Sequence, residues 1–132
     1  MSAQRSVLIV DESPENREVL RVALQRRGAA IFEANRAQQG LRLIEQHQPD
    51  LIVLDLNTTI KSDITQGELD TGSSDLGQSA QERQIPIVVL GTLPRQSADL
   101  PTGEFVSKPY HYGPLIRKIE GLLNRTPSCG VR

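Results

Sequence analysis

One cysteine in 132 residues, Cys129 in a polar tail, excludes an internal disulfide and suits a reducing compartment. Positive charge is not in excess. Fifteen Lys and Arg stand against sixteen Asp and Glu, the formal net charge is -1, and no basic cluster is large enough to form a stripe. Direct binding to nucleic acid is therefore not expected. Long apolar runs are also missing: Val7 to Val10 is far too short for a signal peptide's apolar region or a membrane span, and acid follows it at once. The chain reads as cytoplasmic, with no membrane contact. It contains no internal repeat. The two histidines, His47 and His111, have no metal-like spacing to one another or to Cys129, so neither is assigned as a ligand. The acids around Gly67 lack the order of an EF-hand, which excludes a calcium loop of that kind.

What is present fits one soluble α/β module with a core of ordinary size. Val7 to Val10, Leu51 to Leu54 and Ile85 to Leu90 are short Val/Ile-rich runs without polar alternation, the pattern of strands buried on both faces of a parallel sheet. Ala29 to Ala34 and Glu104 to Val106 are weaker strand candidates. Helical patterns lie between them. Ser13 as N-cap and Pro14 at the first helical position open a helix carrying Val19, Leu20, Ala23 and Leu24, which Gly28 closes. Asn35 with Gln38 resembles a capping box ahead of Leu41 and Ile44, and Pro49 marks that helix's end. Leu115, Ile116, Ile119, Leu122 and Leu123 form the apolar stripe of a last helix that packs on the sheet.

The middle is less regular. Residues 57 to 84 are rich in Thr, Ser, Gly, Asp and Gln, and only Asp75 to Arg83 is patterned as a helix, with Ser74 as its cap. The polar loop over 57–73 exceeds the ~12 to 15 residues usual for structureless loops in compact domains. Such a loop is either mobile or has a task.

Strand and helix alternate, so the carboxyl ends of the parallel strands share one edge, where open α/β sheets bind ligands. Asp11 and Glu12 follow the first strand, Asp55 ends the third, and Lys108 follows the fifth, so all four face one crevice. Two like charges at ~5 Å with an effective dielectric near 20 repel by about 3 kcal/mol. Three carboxylates there invite a cation or a raised pKa.

Four stretches taken together resemble the receiver domains of two-component response regulators: "LIVDESPENR", "QPDLIVLDL", "IPIVVLGT" and "FVSKPY". The resemblance covers residues 4–124 and leaves 125–132 as a short polar tail. It implies a flavodoxin-like three-layer sandwich, a five-stranded parallel sheet of order 2-1-3-4-5 with helices on both faces. The third-helix region is expected to be irregular and the fourth helix short or missing, because only sixteen residues separate Gly91 from Lys108 and two of them are Pro94 and Pro101. The resemblance further implies that Asp55 accepts phosphate. Mg²⁺ would be bound by Glu12, Asp55 and the backbone carbonyl of Asn57, with Asp11 acting through a water. Lys108 would pair with Asp55 and then with a phosphoryl oxygen, and the Lys108–Pro109 bond is cis in the family. The expected partners are a sensor histidine kinase or phosphotransfer protein and a downstream protein, with a homodimer allowed.

Three features depart from the family pattern. Glu12 stands where Asp is usual, one methylene longer beside a metal that tolerates little geometric error. Gly91 stands where a Ser or Thr hydroxyl usually contacts the phosphoryl group; Thr92 supplies it only if the strand ends one residue later. Losing such a hydrogen bond costs about 1.5–3 kcal/mol. Length is also redistributed, with thirty residues between Asp55 and Pro86. Phe105 reads as core, and Tyr110 and Tyr112 as flanking the last helix's start. The expectation is a stand-alone receiver acting as a phosphoacceptor, not an enzyme that turns over a separate substrate, with Met1 and the short tail suggesting an unexcised chain. The rivals are a phosphorylation-independent interaction scaffold and, more weakly, a phosphotransfer enzyme or phosphatase using the same Asp and metal.

Overall fold

The computed structural model describes residues 4–55, 71–91 and 103–125. Their elements run β1 (Ser6–Val10), α1 (Pro14–Arg26), β2 (Ala30–Ala34), α2 (Ala37–His47), β3 (Leu51–Asp55), α3 (Thr71–Glu82), β4 (Ile87–Gly91), β5 (Gly103–Ser107) and α4 (Tyr112–Arg125). The strands form one sheet of order β2-β1-β3-β4-β5, with every neighbouring pair parallel. Asn57, the polar stretch 57–70, Thr92, the span expected to hold a short or missing fourth helix, the tail from 126 and Cys129 lie outside the described residues.

Successive side chains of the central strands enter two separate cores, as a pleated strand requires. Val7, Ile9, Leu51, Val53, Val88 and Leu90 pack with Leu20 and Leu24 of α1 and with Leu115, Ile116 and Ile119 of α4. Leu8, Val10, Ile52, Leu54, Ile87 and Val89 pack with Ala37 and Ile44 of α2 and with Leu76 and Ala80 of α3. Both faces of the sheet are thus covered, which is why β1, β3 and β4 carry no polar alternation. Phe105 is half-buried against the α2/α3 core. His47 stacks on Phe32, with ring centroids 4.2 Å apart.

The helix ends follow local chemistry in part. Ser13 Oγ accepts the Asn16 N–H, Pro14 opens α1, and Gly28 closes it at φ 95°, where a side chain would be strained. At α2 the capping-box register lies one residue later than expected: Arg36 is the N-cap, and Gln39 Oε1 accepts the Asn35 N–H at 2.9 Å. Burial of Ala37, Gly40 and Ile44 against the sheet sets this register, and Arg36 has no side-chain capping bond. The helix then stops at Gln48, in the left-handed region at φ 49°, just before Pro49. α3 spans twelve residues and starts at Thr71 rather than Asp75, so the position of Ser74 lies within it. Packing of Leu76 and Ala80 into the core supports a helix that sequence propensity alone underestimates.

One glycine in α2 allows that helix to approach the sheet closely. A Cβ on Gly40 would lie 2.9 Å from a Val10 methyl and 3.0 Å from a Leu76 methyl. Overpacking costs about 1–3 kcal/mol, against a helix-propensity gain for alanine of about 1 kcal/mol. Gly40→Ala is therefore expected to destabilise the fold by about 1 kcal/mol, read as a lower urea midpoint at unchanged slope.

Candidate functional site

Three strand ends and two turns build a charged pocket at the carboxyl edge of the sheet. Beyond β1, the Asp11 N–H donates to the Ala34 carbonyl at 3.0 Å, which holds the turn against β2. The Asp11 carboxylate is turned inward and is 2% exposed. Its Oδ1 accepts the Ser13 N–H at 2.8 Å and its Oδ2 the Asn16 Nδ2 at 3.4 Å. Arg17 secures the same turn from outside: Nη1 donates to the Asp11 carbonyl at 2.6 Å while Nε pairs with Glu33 Oε1 at 3.0 Å. Arg21 Nε takes the other Glu33 oxygen at 2.9 Å.

Asp55 ends β3 and is 4% exposed. Lys108 Nζ lies 2.9 Å from each of its carboxylate oxygens. Lys108 in turn is placed by the backbone: its N–H donates to the Gly91 carbonyl at 2.8 Å, and its bond to Pro109 is cis. Burial, the largest cause, together with the Asp55 charge pushes the Asp11 carboxyl up to about 6 from 3.8, while the Ser13 N–H opposes the rise. Two carboxyl groups and one ammonium therefore share a pocket that would be strongly repulsive without the cation.

The sequence placed Asp11, Asp55 and Lys108 together, and they are together. Glu12 is different: with Asp11 turned into the pocket, the next residue on the turn is exposed. Among the described residues no three His, Cys, Asp or Glu side chains are grouped so as to hold a metal ion by themselves. Asn57 and Thr92 lie outside the described residues. Gly91 is the buried last residue of β4 and has no hydroxyl to offer, as its sequence position implied.

Asn16, Arg17 and Tyr112 belong to the site although sequence reading did not assign them to it. The Tyr112 hydroxyl donates to Asn16 Oδ1 at 2.5 Å, joining the first turn of α4 to the first turn of α1 across 96 residues. Tyr110 and Tyr112 meet edge to face at 5.6 Å. Burial raises both phenols above their usual range. The one signal for Asn16 was its place in the first turn after an acid-bearing loop; nothing in the sequence pattern pointed to Tyr112.

Residues 7–59 match the family model described as the response regulator receiver domain. Over this stretch the chain matches the response regulator receiver domain. Its sequence is 30% identical over 125 residues to the KDP operon transcriptional regulatory protein KdpE of Escherichia coli, covering 91% of this chain and 52% of that one. The chain spans about half the length of the first curated relatives it matches, which also include the phosphate regulon regulator PhoB of Pseudomonas aeruginosa at 29% identity. Solved structures share the fold. A two-component response regulator from Clostridium difficile superposes with a TM-score of 0.74 at 23% identity, covering 94% of this chain and 99% of that one. The receiver domain of the Francisella response regulator 1452 gives 0.72 at 20% identity, with 93% and 99% covered. Among the described residues no helix is long and apolar enough to cross a membrane.

Proposed function

We propose that this receiver takes a phosphoryl group on Asp55 from a histidine kinase or phosphotransfer protein and passes the signal to a downstream protein by contact. The observation that carries this reading is the bidentate approach of Lys108 Nζ, 2.9 Å from both Asp55 oxygens, in a pocket backed by Asp11. A carboxylate oxygen of Asp55 forms the new bond to phosphorus as the bond from phosphorus to the donor's leaving atom breaks. The electron pair of the broken bond leaves with the donor. Lys108 then exchanges a carboxylate oxygen for a phosphoryl oxygen, for which an ammonium is a suitable point charge. The domain changes its own state and releases no product from a separate substrate, so it acts as a phosphoacceptor and not as a turnover enzyme.

The pocket chemistry fits Mg²⁺, which commonly uses one or two carboxylates, waters and a phosphate. Asp11 and Asp55 would hold it; burial first, and the Asp55 charge after it, raises the proton affinity of Asp11, and a cation would relieve the repulsion between the two carboxylates. A bound Mg²⁺ would supply charge neutralisation at the phosphoryl oxygens. Glu12 and the Asn57 carbonyl are the further oxygens proposed for it.

The test is intact mass after incubation with phosphoramidate and Mg²⁺. One phosphoryl adduct is expected, mapped to Asp55 and absent in Asp55→Asn. No adduct under conditions that modify an ordinary receiver overturns the reading.

One observation favours a second reading, a scaffold that signals without phosphate. Gly91 leaves the end of β4 without a hydroxyl, so the usual link from phosphate toward Phe105 is absent at that residue. A scaffold would bind its partner equally well with and without the Asp55→Asn substitution, whereas the phosphoacceptor would lose its phosphate response.

A further inference from the structure

The turn that carries Asp11 and Glu12 is tied to the end of β2 twice. One tie is backbone, the Asp11 N–H donating to the Ala34 carbonyl at 3.0 Å. The other runs through side chains from the residue before it. Glu33 Oε1 pairs with Arg17 Nε at 3.0 Å, and Arg17 Nη1 donates to the Asp11 carbonyl at 2.6 Å and reaches the Glu12 carbonyl at 3.5 Å. Arg17 starts from a fixed base, since its own N–H donates to the Ser13 carbonyl at 3.1 Å in the first turn of α1. Its side chain is only 18% exposed, so water competes weakly for these bonds.

A guanidinium is planar and presents its donors at set angles, so one side chain here locks the turn against α1 and β2 together. The peptide planes that follow Asp11 and Glu12 are the ones it grips, and the first of these lies between the two acids. Its orientation sets the direction in which the Glu12 side chain leaves the turn. Charge is dealt with at the same time: an unmatched guanidinium would repel a divalent cation, and Glu33 takes that charge. Arg21 Nε holds the second Glu33 oxygen at 2.9 Å, which keeps Glu33 in place.

We infer that Arg17, anchored by Glu33, is a positioning residue for Mg²⁺ at the acid pocket, acting through the backbone of the turn and not by contact with the metal. This inference rests on the reading of the pocket as a Mg²⁺ site. It reverses a sign. By charge alone, removing a cationic side chain near a divalent ion tightens binding of that ion. If Arg17 instead sets the geometry of the acids, removing it weakens binding.

The test is a MgCl₂ titration of the full, unphosphorylated chain at pH 7.5, followed by amide shifts in two-dimensional NMR so that only folded molecules are read. Arg17→Met is expected to weaken Mg²⁺ binding about tenfold, the usual loss when a group that orients a metal's ligands is removed. Arg17→Lys keeps the charge but not the fork, and is expected to weaken binding by about threefold or more. Arg21→Met is the control: it removes the same charge and also touches Glu33, but makes no bond to the turn, so its affinity is expected to stay within about twofold of the parent's. Initial rates of phosphorylation by phosphoramidate should divide the same way. In Arg17→Met the half-saturating Mg²⁺ concentration rises about tenfold, more than the limiting rate falls. Affinity that is unchanged or tighter in either Arg17 variant, or weakened equally by Arg21→Met, overturns the positioning role and leaves the Mg²⁺ site standing. A parent chain that binds no Mg²⁺ overturns both.

Discussion

Replacing Lys108 with methionine is expected to slow phosphorylation of Asp55 by about a hundredfold, in line with the loss of one fixed positive group at a reacting centre. The same change is expected to cost about 2 kcal/mol of folding stability near neutral pH. Both effects have one cause. Asp55 is nearly inaccessible to solvent, and the Lys108 ammonium sits 2.9 Å from both its oxygens, with Asp11 close by. Removing a partner from a buried ion pair costs more, about 3–5 kcal/mol, because the remaining charge has neither water nor counter-ion. Here the Lys108 side chain keeps 19% of its exposure, so water recovers part of the loss. The double variant Asp55→Asn/Lys108→Met is therefore expected to regain most of the stability lost by Lys108→Met alone. Urea titrations of the four proteins in metal-free buffer close the cycle. A double variant destabilised by the sum of the two single variants' effects would show that the two groups are not coupled.

Asp11→Asn should act in the opposite direction on stability. In the folded chain the Asp11 carboxyl ionises near 6, against 3.8 in a free side chain, with burial as the main cause. The folded state therefore binds a proton more tightly than the unfolded one. Its contribution to stability is fully present below the unfolded value of 3.8 and is lost as pH rises through about 6. Two pKa units correspond to about 3 kcal/mol. An amide has no such charge to carry, and the opposing pull of the Ser13 N–H is already contained in the raised value, leaving a gain of about 3 kcal/mol. In metal-free buffer Asp11→Asn is thus expected to be the more stable protein at pH 7.5, with the two converging below about pH 4. Urea midpoints across that range check it. A constant difference at all pH values would mean that the effect does not come from the Asp11 charge. The same substitution should weaken Mg²⁺-dependent phosphorylation, so stability rises as function falls, a trade common where a site keeps like charges close.

The fold was legible wherever one physical requirement dominated. β1, β3 and β4 are buried on both faces, and a run such as Leu51 to Leu54 has no other economical home. α1 carried its own start and stop in Ser13, Pro14 and Gly28. Where packing rather than local chemistry decides, the sequence was less informative. The start of α2 follows the burial of Ala37 and Gly40, not the Asn35–Gln38 pair, and α3 begins four residues earlier than its pattern suggests. At the site, Asp11, Asp55 and Lys108 were legible because strand ends in a parallel sheet share an edge. Glu12 was expected among them, yet it is exposed, since an inward-turned Asp11 leaves its neighbour outside. Asn16 and Tyr112 were not legible as partners: a single hydrogen bond spanning 96 residues leaves no periodic trace.

Lys108 follows β5, the outermost strand on its side of the sheet, and is 53 residues from the aspartate it grips. During synthesis the acids of β1 and β3 emerge well before it, so no shorter nascent product has a complete site. In the finished protein the same geometry makes this edge the place where the site is disconnected most cheaply. Opening β5 releases the Lys108 N–H from Gly91 and withdraws the ammonium, while β1, β3 and their helices stay packed. Hydrogen exchange at the Lys108 amide therefore reports how often the pocket loses its cation without the rest of the molecule unfolding.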